Sequence, residues 1–160
     1  MSNLIVKKTE YGAGKGVYVQ KQLQKGEVAF TFSEEIVPWA KVTHRGIQVG
    51  RNRWLEPSKE SFGFYLNHSC SPSCGFQLPN KIVALREIKE GEEITIDYST
   101  VVHTKKWEMD CLCQSSQCRK VVKSFPNMPV EFQEKFREWN SWEKLILISK
   151  RSRRLPVQSC

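Results

Sequence analysis

No run of apolar residues in this chain is long enough to cross a bilayer. Near the N-terminus, Leu4-Ile5-Val6 is cut short by Lys7-Lys8, which is not the pattern of a secretory leader. The expectation is an intracellular protein of a reducing compartment, not secreted and with no membrane contact. A phosphate loop is missing too. The glycines of Tyr11-Gly12-Ala13-Gly14-Lys15-Gly16 are followed by no Gly-Lys-Ser/Thr. The β-rich Val17-Tyr18-Val19 comes next instead of a helix, which excludes a dinucleotide-binding turn. Basic and aromatic residues are not interleaved as base-reading elements would be.

Acidic residues are scarce at one end. Residues 119–160 carry 10 Lys/Arg against 4 Asp/Glu, whereas residues 1–118 carry 15 against 13. Most of the net charge of +8 therefore lies in the tail. There the run Lys150-Arg151-Ser152-Arg153-Arg154 is a solvated cluster able to contact polyanions. Cysteine is absent before position 70 and then appears at 70, 74, 111, 113, 118 and 160. Clustered cysteines without a secretory signal read as metal ligands sooner than as disulfides. At 160 residues the chain suits one domain with a core of its own.

Short β-prone segments recur between turn signals: Leu4 to Lys8, Val17 to Val19, Val28 to Phe32, Cys74 to Leu78, Ile82 to Leu85, and Ile94 to Tyr98. Between Pro38 and Pro57 the pattern is of short strands broken by turns, with Ile47, Val49, Trp54 and Leu55 as core candidates. Residues 58–65 suit one irregular helical turn. His44 reads as a surface residue. Near the end, Asn127 and Pro129 announce a helix, and Phe132, Phe136, Trp139, Trp142 and Ile146 recur at helical spacing. That stripe is expected to pack on the β body. The fold class read from this pattern is mainly β with a C-terminal helix.

Two stretches stand out. Asn67-His68-Ser69-Cys70-Ser71-Pro72 places polar and thiol groups in an apolar neighbourhood, where each needs a partner or a ligand. Ile94-Thr95-Ile96-Asp97-Tyr98 alternates like a strand and ends on a tyrosine. Downstream, Cys111-x-Cys113-x4-Cys118 supplies three thiolates, where structural zinc wants four. Together these motifs resemble the SET-domain protein-lysine methyltransferases of the small stand-alone type with a post-SET zinc segment, over roughly residues 4 to 123.

The resemblance implies a SET fold of short curved β-sheets with a pseudoknot. Residues 4–99 would form the SET domain, 107–123 the zinc segment, and 124–160 a helix and basic tail. It implies S-adenosylmethionine held by Gly14, Lys15, Gly16, Asn67, His68 and Leu112, with Tyr98 catalytic. Phe32, Phe76 and Ile96 would line the substrate channel. One structural zinc would sit on Cys70, Cys111, Cys113 and Cys118, with Cys74 as the competing fourth ligand. The protein partner would present a lysine, a histone tail among the candidates. Neither Ile96 nor Phe76 carries a hydroxyl to restrain a methylated amine, so di- or trimethylation is expected. This chain departs from the family at Phe64, where an arginine is common, at Pro72-Ser73 for Pro-Asn, and at Cys118-Arg119-Lys120 for Cys-Arg-Gly. The rival reading is a catalytically silent SET module acting as a peptide- or nucleic-acid-binding adaptor. The presence of Asn67, His68 and Tyr98 favours the enzyme.

Overall fold

The structure, a computed structural model, describes residues 2–104 and 106–137. Strands β1 (Leu4–Lys8) and β2 (Lys15–Val19) form an antiparallel hairpin, with Val17 and Val19 buried. Strand β3 (Val28–Thr31) follows, then a small unit of β4 (Ile36–Val37), β5 (Ile47–Gly50) and β6 (Arg53–Leu55). The two-residue β7 (Asn67–His68) leads to the hairpin β8 (Cys74–Gln77) and β9 (Lys81–Ala84). Strand β10 (Glu93–Ile96), the ribbon β11 (Glu108–Asp110) with β12 (Val121–Lys123), and helix α1 (Val130–Arg137) complete the described chain.

The strands form four small sheets, ordered β1-β2-β10-β7, β3-β9-β8, β4-β6-β5 and β11-β12. This is the mainly β architecture that the short, regularly spaced segments predict. Period-two alternation in β10 sends Ile94 and Ile96 into the core, at 0% and 1% exposure. Each such burial contributes roughly 1.5–3 kcal/mol, as an upper bound.

The arrangement that matters for function is the parallel pairing of β7 with β10. Asn67 lies opposite Thr95, and His68 opposite Ile96. The two stretches singled out in the sequence are therefore adjacent strands. Ser73 continues the contact, its hydroxyl donating to Glu93 O and accepting from Thr95 N. On its other side the Cys70 segment meets the returning chain, with Cys70 N donating to Cys113 Sγ (3.5 Å) and Arg119 N donating to Cys70 Sγ (3.4 Å). The segment is sandwiched between β10 and the chain that follows it, the crossing expected of a pseudoknot.

Strand β10 stops at Ile96, earlier than its alternation suggests. Asp97 accepts the Ser99 N–H on its side chain and caps a 3-10 turn, Tyr98–Thr100. Tyr98 thus heads a turn and no longer belongs to the ladder. Residues 58–65 do contain a helical turn, the 3-10 segment Phe62–Tyr65, capped by the Ser61 hydroxyl. In α1, the Phe132 and Phe136 rings lie 4.5 Å apart, and Phe132 also meets Phe125 at 6.4 Å. Trp139, Trp142, Ile146 and the basic run Lys150 to Arg154 lie outside the described residues. No described helix is long and apolar enough to cross a membrane.

Candidate active site

Tyr98 stands between two cavities. One, of about 140 Å³, is walled by Tyr11, Ala13, Asn67, His68, Leu112 and Cys113, with Met109 and Asp110 at its edge. The other, of about 270 Å³, is walled by Ile47, Phe64, Leu66, Ile96, Val101, Val102, Trp107 and Met109, with His44, Arg45, Gly46 and Gly63 around them. Tyr98 and Met109 line both. The Tyr98 hydroxyl donates to Leu66 O at 2.7 Å, which fixes the ring between them. Burial pushes its pKa up to about 12, partly offset by the Arg45 cation, so it stays a neutral hydroxyl at ordinary pH.

On the smaller cavity's side the polar groups hold one another. Asn67 Nδ2 donates to Lys15 O (3.0 Å) and to Glu93 Oε1 (2.8 Å), and the Tyr11 hydroxyl donates to the same carboxylate (2.9 Å to Oε2). Burial raises the Tyr11 pKa, and Glu93 raises it further. A side chain at Gly16 would meet Glu93, its Cβ falling 2.1 Å from Oε1, and would push the carboxylate off Asn67 and Tyr11. Gly14 turns the preceding loop with φ +82°. Leu112, 68% exposed between two cysteines, offers an uncovered apolar surface to the cavity.

His68 links this wall to the cysteines. Its Nδ1 accepts the Tyr98 N–H at 3.2 Å, and its Nε2 lies 3.3 Å from Cys70 Sγ. Burial lowers its pKa to about 4. From these partners we assign the neutral ring its proton on Nε2, donating to Cys70. The ligand atoms of His68, Cys70, Cys111 and Cys113 all lie within 4.8 Å of one another. Cys118 lies outside that group but beside it, its thiol donating to Cys111 O at 3.8 Å. With Nε2 protonated, His68 offers that nitrogen no lone pair for a metal, which leaves the fourth position open to Cys118. Burial raises the Cys70 and Cys111 pKa values. Cys113 is also desolvated, but the N–H groups of Cys70 and Ser115 outweigh this and bring it to about 7. Four sulfurs, one poised to ionise, fit tetrahedral zinc. Cys74 is elsewhere. It is wholly buried opposite Ala84, and burial holds its thiol up at about 12.

The sequence reading missed several residues. Asp97, 2% exposed, takes both ends of the Arg119 guanidinium at 2.7 Å, and Arg119 reaches Ser99 Oγ at 3.2 Å. Glu93 and Tyr11 were unassigned, as were Trp107, Met109 and Arg45. A charged residue buried at the end of an apolar strand, and an arginine directly after a cysteine, were the available signals for the Asp97–Arg119 pair. Two channel expectations meet a different placement. Phe32 and Phe76 are 2% and 7% exposed, lie 6.1 Å apart in the core, and line neither cavity. Phe32 packs over Gly63, whose missing side chain leaves room for the ring. Ile96 does line the larger cavity. At Phe64, where relatives often carry arginine, the Arg45 guanidinium lies 4.0 Å over the ring.

Comparison with known proteins follows the same lines. The SET domain family model matches residues 14–99. A variant-silencing SET domain-containing protein of Plasmodium falciparum is 29% identical over 144 residues, covering 74% of this chain and 6% of the relative. A histone-lysine N-methyltransferase of Arabidopsis thaliana is 27% identical over 138 residues, covering 72% of this chain and 37% of the relative. A Caenorhabditis elegans protein assigned as a histone-lysine N-methyltransferase is 29% identical over 139 residues, covering 71% and 57%. The chain thus spans less than two thirds of each of these relatives. A crystal structure of a Plasmodium falciparum protein assigned as a histone methyltransferase has a TM-score of 0.52 at 20% identity, covering 61% of this chain and 94% of the other. The family match takes in just over half of the chain, including both adjacent strands and the tyrosine between the cavities, and it places this protein in the SET-domain family.

Proposed function

We propose that this chain is a protein-lysine N-methyltransferase that uses S-adenosylmethionine. The observation that carries the reading is Tyr98, held between two cavities, one backed by the Asn67–Glu93–Tyr11 hydrogen bonds and the other walled by aliphatic and aromatic side chains. The smaller cavity suits the cofactor. Its polar lining of Asn67, which the Lys15 carbonyl and the Glu93 carboxylate hold in place, and its apolar lining of Ala13 and Leu112 suit a molecule with a charged amino-acid end and a flat ring. When bound there, S-adenosylmethionine supplies the methyl group and a positive sulfonium.

The larger cavity would take the lysine. A free amine titrates near ~10.4, and apolar walls favour its neutral, nucleophilic form. Ile96, Leu66, Val101 and Trp107 strip water from the amine, and the Tyr98 hydroxyl aligns it at the opening between the cavities. Among the described residues no carboxylate lines this cavity to act as a base, so the proton leaves through solvent. Tyr98 is the one tyrosine on this wall among the described residues, and the space beside it is bounded by Ile96. The product therefore extends beyond one methyl group.

Cys70, Cys111, Cys113 and Cys118 would hold one structural zinc, with His68 supporting Cys70 by its hydrogen bond. The metal fastens the segment carrying Leu112 against the cofactor cavity. The partner is a protein presenting a lysine, and the names of relatives put histones among the candidates. Labelled cofactor incubated with histones and with lysate tests the reading. A protein band should take label, and label in no protein, lysate included, would refute the enzyme and favour the silent adaptor.

A further inference from the structure

Resting on that reading, we infer that the target lysine is presented beside an acidic residue, and that Arg45 selects for it. The larger cavity has an electrostatic bias that its apolar walls conceal. Among the described residues no carboxylate lines it, and one full cation, Arg45, does, with His44 next to it. Arg45 is exposed yet fixed in place. One guanidinium N–H donates to Phe64 O at 2.7 Å, and the group stacks 4.0 Å over the Phe64 ring.

This anchoring sets Arg45 close to the reacting end of the site. Its acceptor, Phe64 O, is two residues from Leu66 O, which takes the Tyr98 hydroxyl. Backbone reach limits two such residues to about 7 Å. The Arg45 field is felt at the Tyr98 hydroxyl, where it opposes the effect of burial. Arg45 is also exposed, so the cation faces solvent at the edge of this cavity, where residues flanking a bound lysine would lie.

The surrounding acids are already engaged. Glu56 accepts from Thr43 N (2.8 Å) and from the Thr43 hydroxyl (2.5 Å). Glu93 is on the far side of Tyr98, taken by Asn67 and Tyr11. Asp97 is held by Arg119. Among the described residues no carboxylate pairs with Arg45, unlike Arg86 and Arg119, which each have one. A guanidinium has five N–H donors in a planar fork, and Arg45 spends one on Phe64. The remainder suits a carboxylate in two-point contact. In an extended peptide, side chains two positions apart share a face, so the partner is an Asp or Glu within two residues of the lysine. An arginine-rich tail would set cation against cation at the same place.

The test uses the full chain and matched peptides with a single lysine, carrying Glu or Arg two residues away. Wild type should methylate the Glu peptide with a kcat/KM about 10-fold higher, mostly through KM, the size of a charge-assisted two-point contact. Arg45→Glu should reverse the order, and Arg45→Gln should bring the peptides within about 2-fold. Melting temperature and cofactor affinity should not move, because Arg45 is exposed and lies off the cofactor cavity. A wild-type preference for the Arg peptide, or a preference unchanged by both substitutions, would overturn the inference while leaving methyl transfer intact. No transfer to either peptide or to lysate proteins would instead overturn the underlying reading and this inference with it.

Discussion

On the side of Tyr98 that faces Asn67 and Leu112, polar groups are fixed by one another. On the side that faces Trp107 and Arg45, the wall is aliphatic and aromatic. The first side draws on strands β2, β7 and β10 and on the cysteine segment, tied by Asn67–Glu93, His68–Cys70 and Asp97–Arg119. Asn67 and Asp97 there depend on partners far away in the chain, so losing one strands another. The second side depends on shape, and its residues can vary as long as volume and dryness survive. Position is costly to disturb on the first side; space is what matters on the second.

The largest effect should come from breaking the polar side. Arg119→Met leaves the Asp97 carboxylate buried without its cation, and should cost about 3 kcal/mol in urea unfolding. The same variant should lose zinc by elemental analysis, because the Arg119 side chain anchors the loop that carries the thiols and whose backbone N–H at 119 contacts Cys70. Wild type should hold one zinc per chain. A variant as stable and as zinc-loaded as wild type would show that the pair is incidental.

Filling the apolar side should act differently. Val102→Phe, on the wall of the larger cavity, should raise the peptide KM about 10-fold with cofactor affinity unchanged. Equal losses of peptide and cofactor binding would mean that the two cavities are not separable.

The smallest effect concerns acid stability beneath the apolar side. Burial lowers the pKa of His103 to about 4, and its ring packs 5.2 Å from Phe125. The unfolded chain takes a proton there near pH 6.5, while the folded chain does not until about pH 4. Stability is therefore full above pH 6.5 and falls as the pH drops through that window. The contribution should be about 1–2 kcal/mol by pH 4.5, discounted for partial exposure. It is read from denaturation of wild type against His103→Gln, which leaves the His68 contribution in place. Parallel pH curves for the two proteins would remove His103 from the account.

The same contrast explains what the sequence revealed. Asn67-His68 and Tyr98 were legible because each sits in a local pattern, one a run of polar groups among aromatics, the other a strand alternation. The thiols of Cys111, Cys113 and Cys118 were legible from spacing. Asp97–Arg119 and Asn67–Glu93–Tyr11 were not, because such pairs exist only once the strands cross. The core packing of Phe32 and Phe76 was not legible, since an aromatic facing the core and one facing a cavity have the same period-two signature. What separates them is Gly63, which draws Phe32 inward, and the return of the chain that brings Trp107 to Tyr98. The reach of the C-terminal stripe beyond Phe136 lies outside the described residues.

The most direct measurement is methyl transfer by Tyr98→Phe, with cofactor binding measured on the same sample. The substitution removes one hydroxyl from the boundary between the cavities and leaves the ring in place. Turnover should fall by about 100-fold or more, while cofactor affinity and melting temperature stay close to wild type. The product of the wild-type enzyme, read by mass, should carry more than one methyl group. Undiminished turnover by Tyr98→Phe would contradict the account, because the chemistry would then lie somewhere other than between the two cavities.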